Sequence, residues 1–248
     1  MPGPGHFDRY AELYDRSRPP YPDELWGRLS DLELLVDGAR ALDLGSGTGQ
    51  AVGPLLRAGM KVTAVEPGQS LARLLHARYP DVTIVPARVE EAELRAATYA
   101  LATAATSVHW FDLDVVLPKV HAALCPGAGF AIWRNAYGDP RSAVTPFRER
   151  VNEIVARRRE PPRQFDEFET ERLAASLSAS GHFGVRHIEE FRWTCVLDAT
   201  RLRDLFTTFS NWTPEEAEEV RRAAEELGGQ VEEHYVTPLI VLTSISRG

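Results

Sequence analysis

The feature that most restricts this chain is the run Leu42-Asp43-Leu44-Gly45-Ser46-Gly47-Thr48-Gly49, an apolar segment that breaks into alternating glycines. It reads as a strand ending in a loop whose backbone must approach something closely, because glycine carries no Cβ and accepts positive φ. Three ligands compete for such a loop: a dinucleotide, a nucleoside triphosphate, and a nucleoside carried on an amino acid. The dinucleotide fingerprint needs a third glycine where this chain has Gln50. The triphosphate loop needs Gly, Lys and Ser or Thr where this chain has Gln50, Ala51 and Val52. The order present is D-x-G-x-G-x-G.

The surroundings repeat a strand–helix alternation. Arg40–Gly45, Lys61–Pro67, Val82–Ala87, Tyr99–Ala105 and Gly129–Arg134 read as strands, several apolar on successive residues, as strands covered on both faces are. Leu71, Leu74 and Leu75 recur at helical spacing, and a second helix runs from Asp112 to a Pro126-Gly127 stop with Pro118 in its first turn. Alternation of this kind implies a parallel sheet with right-handed crossovers.

Beyond Arg134 the pattern changes. A helix lies between proline-bearing loops within Asp139–Pro162, and its run Arg157-Arg158-Arg159 is either an anion site or a solvated helix end suited to the dipole. A further helix stops at Gly181, and the strands Arg186–Asp198 and Tyr235–Ile245 follow. Between them Thr213, Pro214, Glu216 and Gly228 give an N-cap, a first helical position, a capping box and a stop.

With 248 residues, 44% apolar and 26% charged, the chain can bury a large core, and disorder is expected only near the opening MPGPG. A net charge of −8 argues against nucleic acid as a partner. Cys125 and Cys195 stand in no metal-ligand spacing, and His6, His76, His109, His121, His182, His187 and His234 form none either, so no metal site is expected. No apolar run approaches the roughly 20 residues of a membrane span. The first residues lack the basic-then-apolar order of a signal peptide, so a cytoplasmic location is expected. Alanine and arginine in place of lysine point to a GC-rich bacterial coding sequence.

The segment LDLGSGTGQ resembles the first motif of the class I S-adenosylmethionine-dependent methyltransferases. The likeness narrows to the type 11 members similar to trans-aconitate methyltransferase. Their fourth strand ends in His-Trp-Phe, here His109-Trp110-Phe111, and their fifth follows a Lys-Pro-Gly-Gly turn, here Cys125-Pro126-Gly127-Ala128. Their opening Tyr-Asp-x-x-Arg-Pro-x-Tyr-Pro is matched by Tyr14, Asp15, Arg18, Pro19, Tyr21 and Pro22. The likeness covers about Phe7 to Arg134 well and the rest only in outline. One departure is Ala100, where the family carries an aspartate.

The resemblance implies a Rossmann-like, doubly wound, mostly parallel seven-stranded α/β sheet with helices on both faces and a small helical cap. It implies one methyltransferase domain over 1–248: a lid at 1–36, a cofactor-binding core at 37–135, a cap at 136–180, and completing strands and helices at 181–248. The implied cofactor is S-adenosylmethionine. Its contacts would come from Asp43, Gly45, Ser46, Gly47, Thr48 and Gly49, from Glu66 and Pro67 after the second strand, from Arg88 and Val89 after the third, from Thr106, and from Tyr14 and Arg18. An acid at Glu66 suits the ribose hydroxyls of NAD equally well.

A small-molecule acceptor is expected near Tyr21, Trp110, Arg134 and Tyr137. His109 is either a general base or a wall of the pocket. A carboxylate acceptor would be oriented by Arg18, Arg88 and Arg134, whereas a hydroxyl would need a base. Two other functions stay open: a non-catalytic S-adenosylmethionine-binding module acting through a protein partner, and a nicotinamide-dependent oxidoreductase. Against the latter stand Gln50 and the lack of a Tyr-x-x-x-Lys pair.

Overall fold

A computed structural model describes residues 5–159 and 169–245. The opening residues 1–4, and Pro161-Pro162 at the end of the arginine-rich helix, lie outside the described residues. Three helices come first: α1 (Gly5–Arg9), α2 (Ala11–Ser17) and α3 (Asp23–Asp31). Then follow β1 (Arg40–Leu44), α4 (Val52–Arg57), β2 (Lys61–Val65), α5 (Gln69–Arg78), β3 (Thr83–Val85), β4 (Tyr99–Ala105), α6 (Leu113–Ala123) and β5 (Leu124–Trp133). The rest comprises β6 (Ala136–Tyr137), α7 (Pro146–Ala156), α8 (Glu169–Ser178), β7 (Phe183–Asp198), α9 (Ala199–Thr207), α10 (Pro214–Glu226) and β8 (Gln230–Ser244).

Strand order is β3-β2-β1-β4-β5-β8-β6, with β7 pairing β8. Among the described residues the sheet therefore has eight strands where seven were expected. The extra one, β6, has two residues, too few to show a period-2 pattern. The first five strands pair in parallel, and β8 runs antiparallel to β5, with Phe130 opposite Leu242 and Ile132 opposite Ile240.

The chain forms two compact units. The larger comprises 20–135, 168–191 and 237–248, so the segment expected to form one cap, 136–180, is divided between units. Within the larger unit the strands are buried on both faces, and their period-2 alternation sorts residues into two cores. Leu42, Leu44, Ala102, Phe130 and Leu242 face a core closed by Val116 and Val120 of α6 and Leu177 of α8. Ala41, Leu101, Ala131, Trp133 and Val241 face a core closed by Leu25 of α3, Leu55 of α4 and Leu75 of α5. This is why those strands read as unbroken apolar runs.

Two local expectations need correction. Pro118 is the sixth residue of α6, inside the helix and not in its first turn. The helix starts at Leu113, where the Asp112 carboxylate accepts from the Asp114 amide at 3.2 Å. The Pro126-Gly127 turn does not precede β5 but lies within it: Tyr99 pairs with Leu124 and Leu101 with Gly129, so the turn is the extra length of an irregular ladder.

The smaller unit comprises 1–19, 136–167 and 192–236. Its core joins Phe147, Val151 and Ile154 of α7 to Leu202, Leu205 and Phe206 of α9 and Ala217, Val220 and Ala224 of α10. Helices α7 and α10 run antiparallel and are laced by the Arg150–Glu226 pair and, just past the end of α7, by Arg157–Glu219 and Arg158–Glu216. Arg157 and Arg158 thus have carboxylate partners on a neighbouring helix.

Candidate functional site

The chain steps outward from β1 to β2 and β3, then returns to β4 on the other side of β1. At such a switch point the loops leaving the carboxyl ends of β1 and β4 diverge and leave a crevice. Gly45, Gly47 and Gly49 occupy it, with φ of 69°, 56° and 90°. At Gly45 a Cβ would lie 2.7 Å from the Ser107 Cβ, so no side chain fits even if the backbone angle were tolerated. The Gly45 and Ser46 amides both donate to the Val65 carbonyl, at 2.9 and 3.1 Å, which fastens the loop to the end of β2.

Asp43 is 1% exposed. Its Oδ1 accepts from the Thr103 hydroxyl at 2.6 Å, while its Oδ2 is buried with no hydrogen-bond partner, and the Thr48 Oγ1 is in the same state. Burial pushes the Asp43 carboxyl up to about 6 against the lowering effect of the Thr103 hydroxyl. Unpartnered buried polar atoms are rare and costly, and here one stands near the end of β1 and another in the glycine loop that follows it. Glu66 is also buried. Its two oxygens accept from the Gly47 amide at 2.7 Å and the Gly68 amide at 2.8 Å, so the acid at the end of β2 reaches the glycine loop directly. Pro67 beside it is exposed.

After β3, Val89 is buried in the core and Arg88 is exposed, its guanidinium 3.4 Å from Glu90. The Glu90 carboxylate accepts from the Asp112 amide at 3.0 Å. Burial would push that carboxyl up, but the Asp112 amide and Arg88 hold it below the usual range. The Lys119 ammonium of α6 donates to the carbonyls of Val89, Glu90 and Ala92. Together these bonds fix the loop expected to meet adenine. Sequence reasoning did not find this constraint because the bonded partners stand 22 to 30 residues apart.

The end of β4 props the first loop. The Ser107 hydroxyl donates to the Leu44 carbonyl at 2.6 Å. Thr106 has φ of 62°, a left-handed conformation that a β-branched residue adopts at a cost of about 1–3 kcal/mol. Thr103 and Ser107 escaped sequence reasoning, although a hydroxyl residue in an otherwise apolar strand asks for a buried partner. Val108–Trp110 form one turn of 3₁₀ helix; His109 is exposed and its ring centroid is 4.8 Å from that of Trp110.

The residues expected to meet substrate are placed differently from one another. Tyr21 is 6% exposed, hydrogen-bonded to the Thr106 hydroxyl at 2.9 Å and edge-on to the Trp133 ring. The Arg134 guanidinium pairs with Glu169 at 2.7 Å. Tyr137, Tyr14 and Arg18 belong to the smaller unit. There Arg18 donates to Thr208 Oγ1 at 3.0 Å and its guanidinium lies over the Phe209 and Tyr14 rings. Burial, then the neighbouring Glu233 carboxylate, pushes the Tyr137 phenol well above its ordinary value.

Residues 42–132 match the family described as a methyltransferase domain. An uncharacterized methyltransferase of Mycobacterium tuberculosis is 30% identical over 157 residues, 63% of this chain and 61% of the relative. The chain thus spans about three fifths of the length of the curated relatives it matches first. A structure described as a type II methyltransferase of Anaeromyxobacter dehalogenans superposes with a TM-score of 0.61 at 24% identity, covering 92% of this chain and 97% of that one. Geranyl diphosphate C-methyltransferase of Streptomyces coelicolor A3(2), in complex with Mg2+, geranyl diphosphate and S-adenosyl-L-homocysteine, gives 0.51 at 14% identity over 90% and 79% of the two chains. The glycine loop and the acid after β2 both lie within residues 42–132, the part of the chain that matches the methyltransferase domain family, and the solved methyltransferase structures share its fold.

Proposed function

We propose that this protein transfers the methyl group of S-adenosylmethionine to a small-molecule acceptor. The observation that carries the reading is the Asp43 carboxylate, buried at the switch point with Oδ2 unpartnered beside the glycine loop. A dinucleotide brings phosphates, which a buried carboxylate repels; this cofactor brings an ammonium, which it attracts. Thr48 Oγ1 offers a second open polar atom, and Glu66 offers a buried carboxylate to ribose hydroxyls.

When bound, the cofactor supplies a methyl already activated by a positive sulfur. The chain's task is then to hold the acceptor at about 3–3.5 Å and to exclude water. Small acceptors are supported by relatives of the same fold whose names give them, geranyl diphosphate in one and phosphomonomethylethanolamine in another. His109 is our candidate base for an acceptor that must lose a proton, and Trp110 a candidate wall. Arg88 and Arg134 are each paired with a glutamate, so neither brings an uncompensated charge to an anionic acceptor.

Calorimetry with S-adenosylhomocysteine and NAD tests the reading. Measurable binding of S-adenosylhomocysteine and none of NAD is expected; tighter binding of NAD would overturn it.

A further inference from the structure

The strained end of β4 is braced by a side chain from outside the sheet. Thr106 is β-branched and sits at φ 62°, in a region that favours glycine. Its amide donates to the Trp133 carbonyl at 2.7 Å, which fixes the backbone from the β5 side. Its hydroxyl is hydrogen-bonded to the Tyr21 hydroxyl at 2.9 Å. Tyr21 is itself held: it is 6% exposed, and its ring meets the Trp133 ring edge-on with centroids 5.7 Å apart. Trp26 clamps the same indole from a second direction at 5.5 Å.

The next residue, Ser107, reaches the glycine loop twice. Its hydroxyl donates to the Leu44 carbonyl, and its Cβ fills the space that a side chain at Gly45 would need. A change of the backbone at Thr106 is therefore passed to Gly45 by direct contact. Leaving the left-handed region for either of the other allowed regions, extended or right-handed helical, would redirect the chain at Ser107.

We infer that Tyr21 is a positioning residue for the cofactor loop: its hydroxyl holds Thr106 in the left-handed conformation, and Thr106 in turn holds Ser107 against Gly45. This assigns the Tyr21 side chain a role inside the fold and rests, for its consequence on ligand binding, on the methyltransferase reading. The ring supplies core packing, whereas the hydroxyl supplies the brace, so the two roles separate in a Tyr21→Phe variant.

Two measurements on the full chain test it. In hydrogen–deuterium exchange without ligand, Tyr21→Phe is expected to speed exchange at Thr106–Val108 and Gly45–Gly49 and to leave β2 unchanged. In calorimetry, the same variant is expected to bind S-adenosylhomocysteine about fivefold more weakly, the worth of one neutral hydrogen bond. Thr106→Gly adopts positive φ without strain, so adding Tyr21→Phe to it should change neither readout further. Local exchange that is unaltered in a folded Tyr21→Phe protein overturns the inference, as does an equal effect of Tyr21→Phe in the Thr106→Gly background. If wild-type protein fails to bind S-adenosylhomocysteine, the methyltransferase reading falls, while the exchange pattern still decides whether Tyr21 braces the loop.

Discussion

At the scale of single residues, Asp43 carries the clearest conflict between stability and function. Its carboxyl is raised to about 6 by burial, so the folded state keeps a proton that the unfolded state has released between about pH 4 and 6. More protons bound in the folded state means that stability is fully present below that window and falls as pH rises through it. The total is about 3 kcal/mol for a fully buried group. Asp43→Asn should remove this slope in urea melts recorded from pH 4 to 7, and should weaken S-adenosylhomocysteine at pH 7.5 because the ammonium loses its partner. Equal slopes in the two proteins would show that Asp43 does not titrate in this range. Binding to the wild type should weaken as pH falls below about 6, by up to tenfold per unit, because the proton must leave before the ammonium is met.

At the scale of elements, local signals worked where the chain's own backbone chemistry was at stake. Helix α10 begins as its sequence dictates: Thr213 Oγ1 accepts from the Glu216 amide at 3.2 Å, and the Glu216 carboxylate accepts from the Thr213 amide at 2.9 Å. Glu216 also holds Arg158, just past the end of α7, so the cap joins the ladder between the two helices. Thr213→Ala should lower stability by about 1 kcal/mol, the usual worth of an N-cap. The same variant should leave the affinity for S-adenosylhomocysteine unchanged, since its bonds are to Glu216 and Ala217 of α10. A chemical melt and a calorimetric titration check the two halves of the statement. Signals failed where packing overrides propensity. Pro118 lies mid-helix because Val116, Leu117 and Val120 are buried around it, and that burial outweighs the lost backbone bond.

At the scale of the whole molecule, the larger unit carries both cores of the sheet and the residues described around the glycine loop. A ligand that binds only the folded state stabilises it by mass action, about 2.7 kcal/mol at a hundredfold excess over Kd. Saturating S-adenosylhomocysteine should therefore raise the melting temperature, and hydrogen-exchange protection should be strongest at 43–49, 66–68 and 103–108. Protection concentrated instead in α7 and α10 would place the ligand elsewhere. No helix among the described residues is long and apolar enough to cross a membrane.

The amino-acid order by itself determined the strand–helix alternation, the parallel part of the sheet and the position of the loop at Gly45–Gly49. Those depend on periodicity and on backbone permissiveness, which are local in sequence. The same is true of Glu66, whose place is fixed by the end of a strand. Tertiary structure alone decided that Thr103 meets Asp43, that Ser107 fills the space beneath Gly45, and that Tyr21 turns inward to Thr106. These partners are 60 and 85 residues apart in two of the three cases, and no local pattern encodes which hydroxyl will reach which acceptor. Only the pairing of β4 with β1, and the packing of the Tyr21 ring on Trp133, brings them within hydrogen-bonding distance.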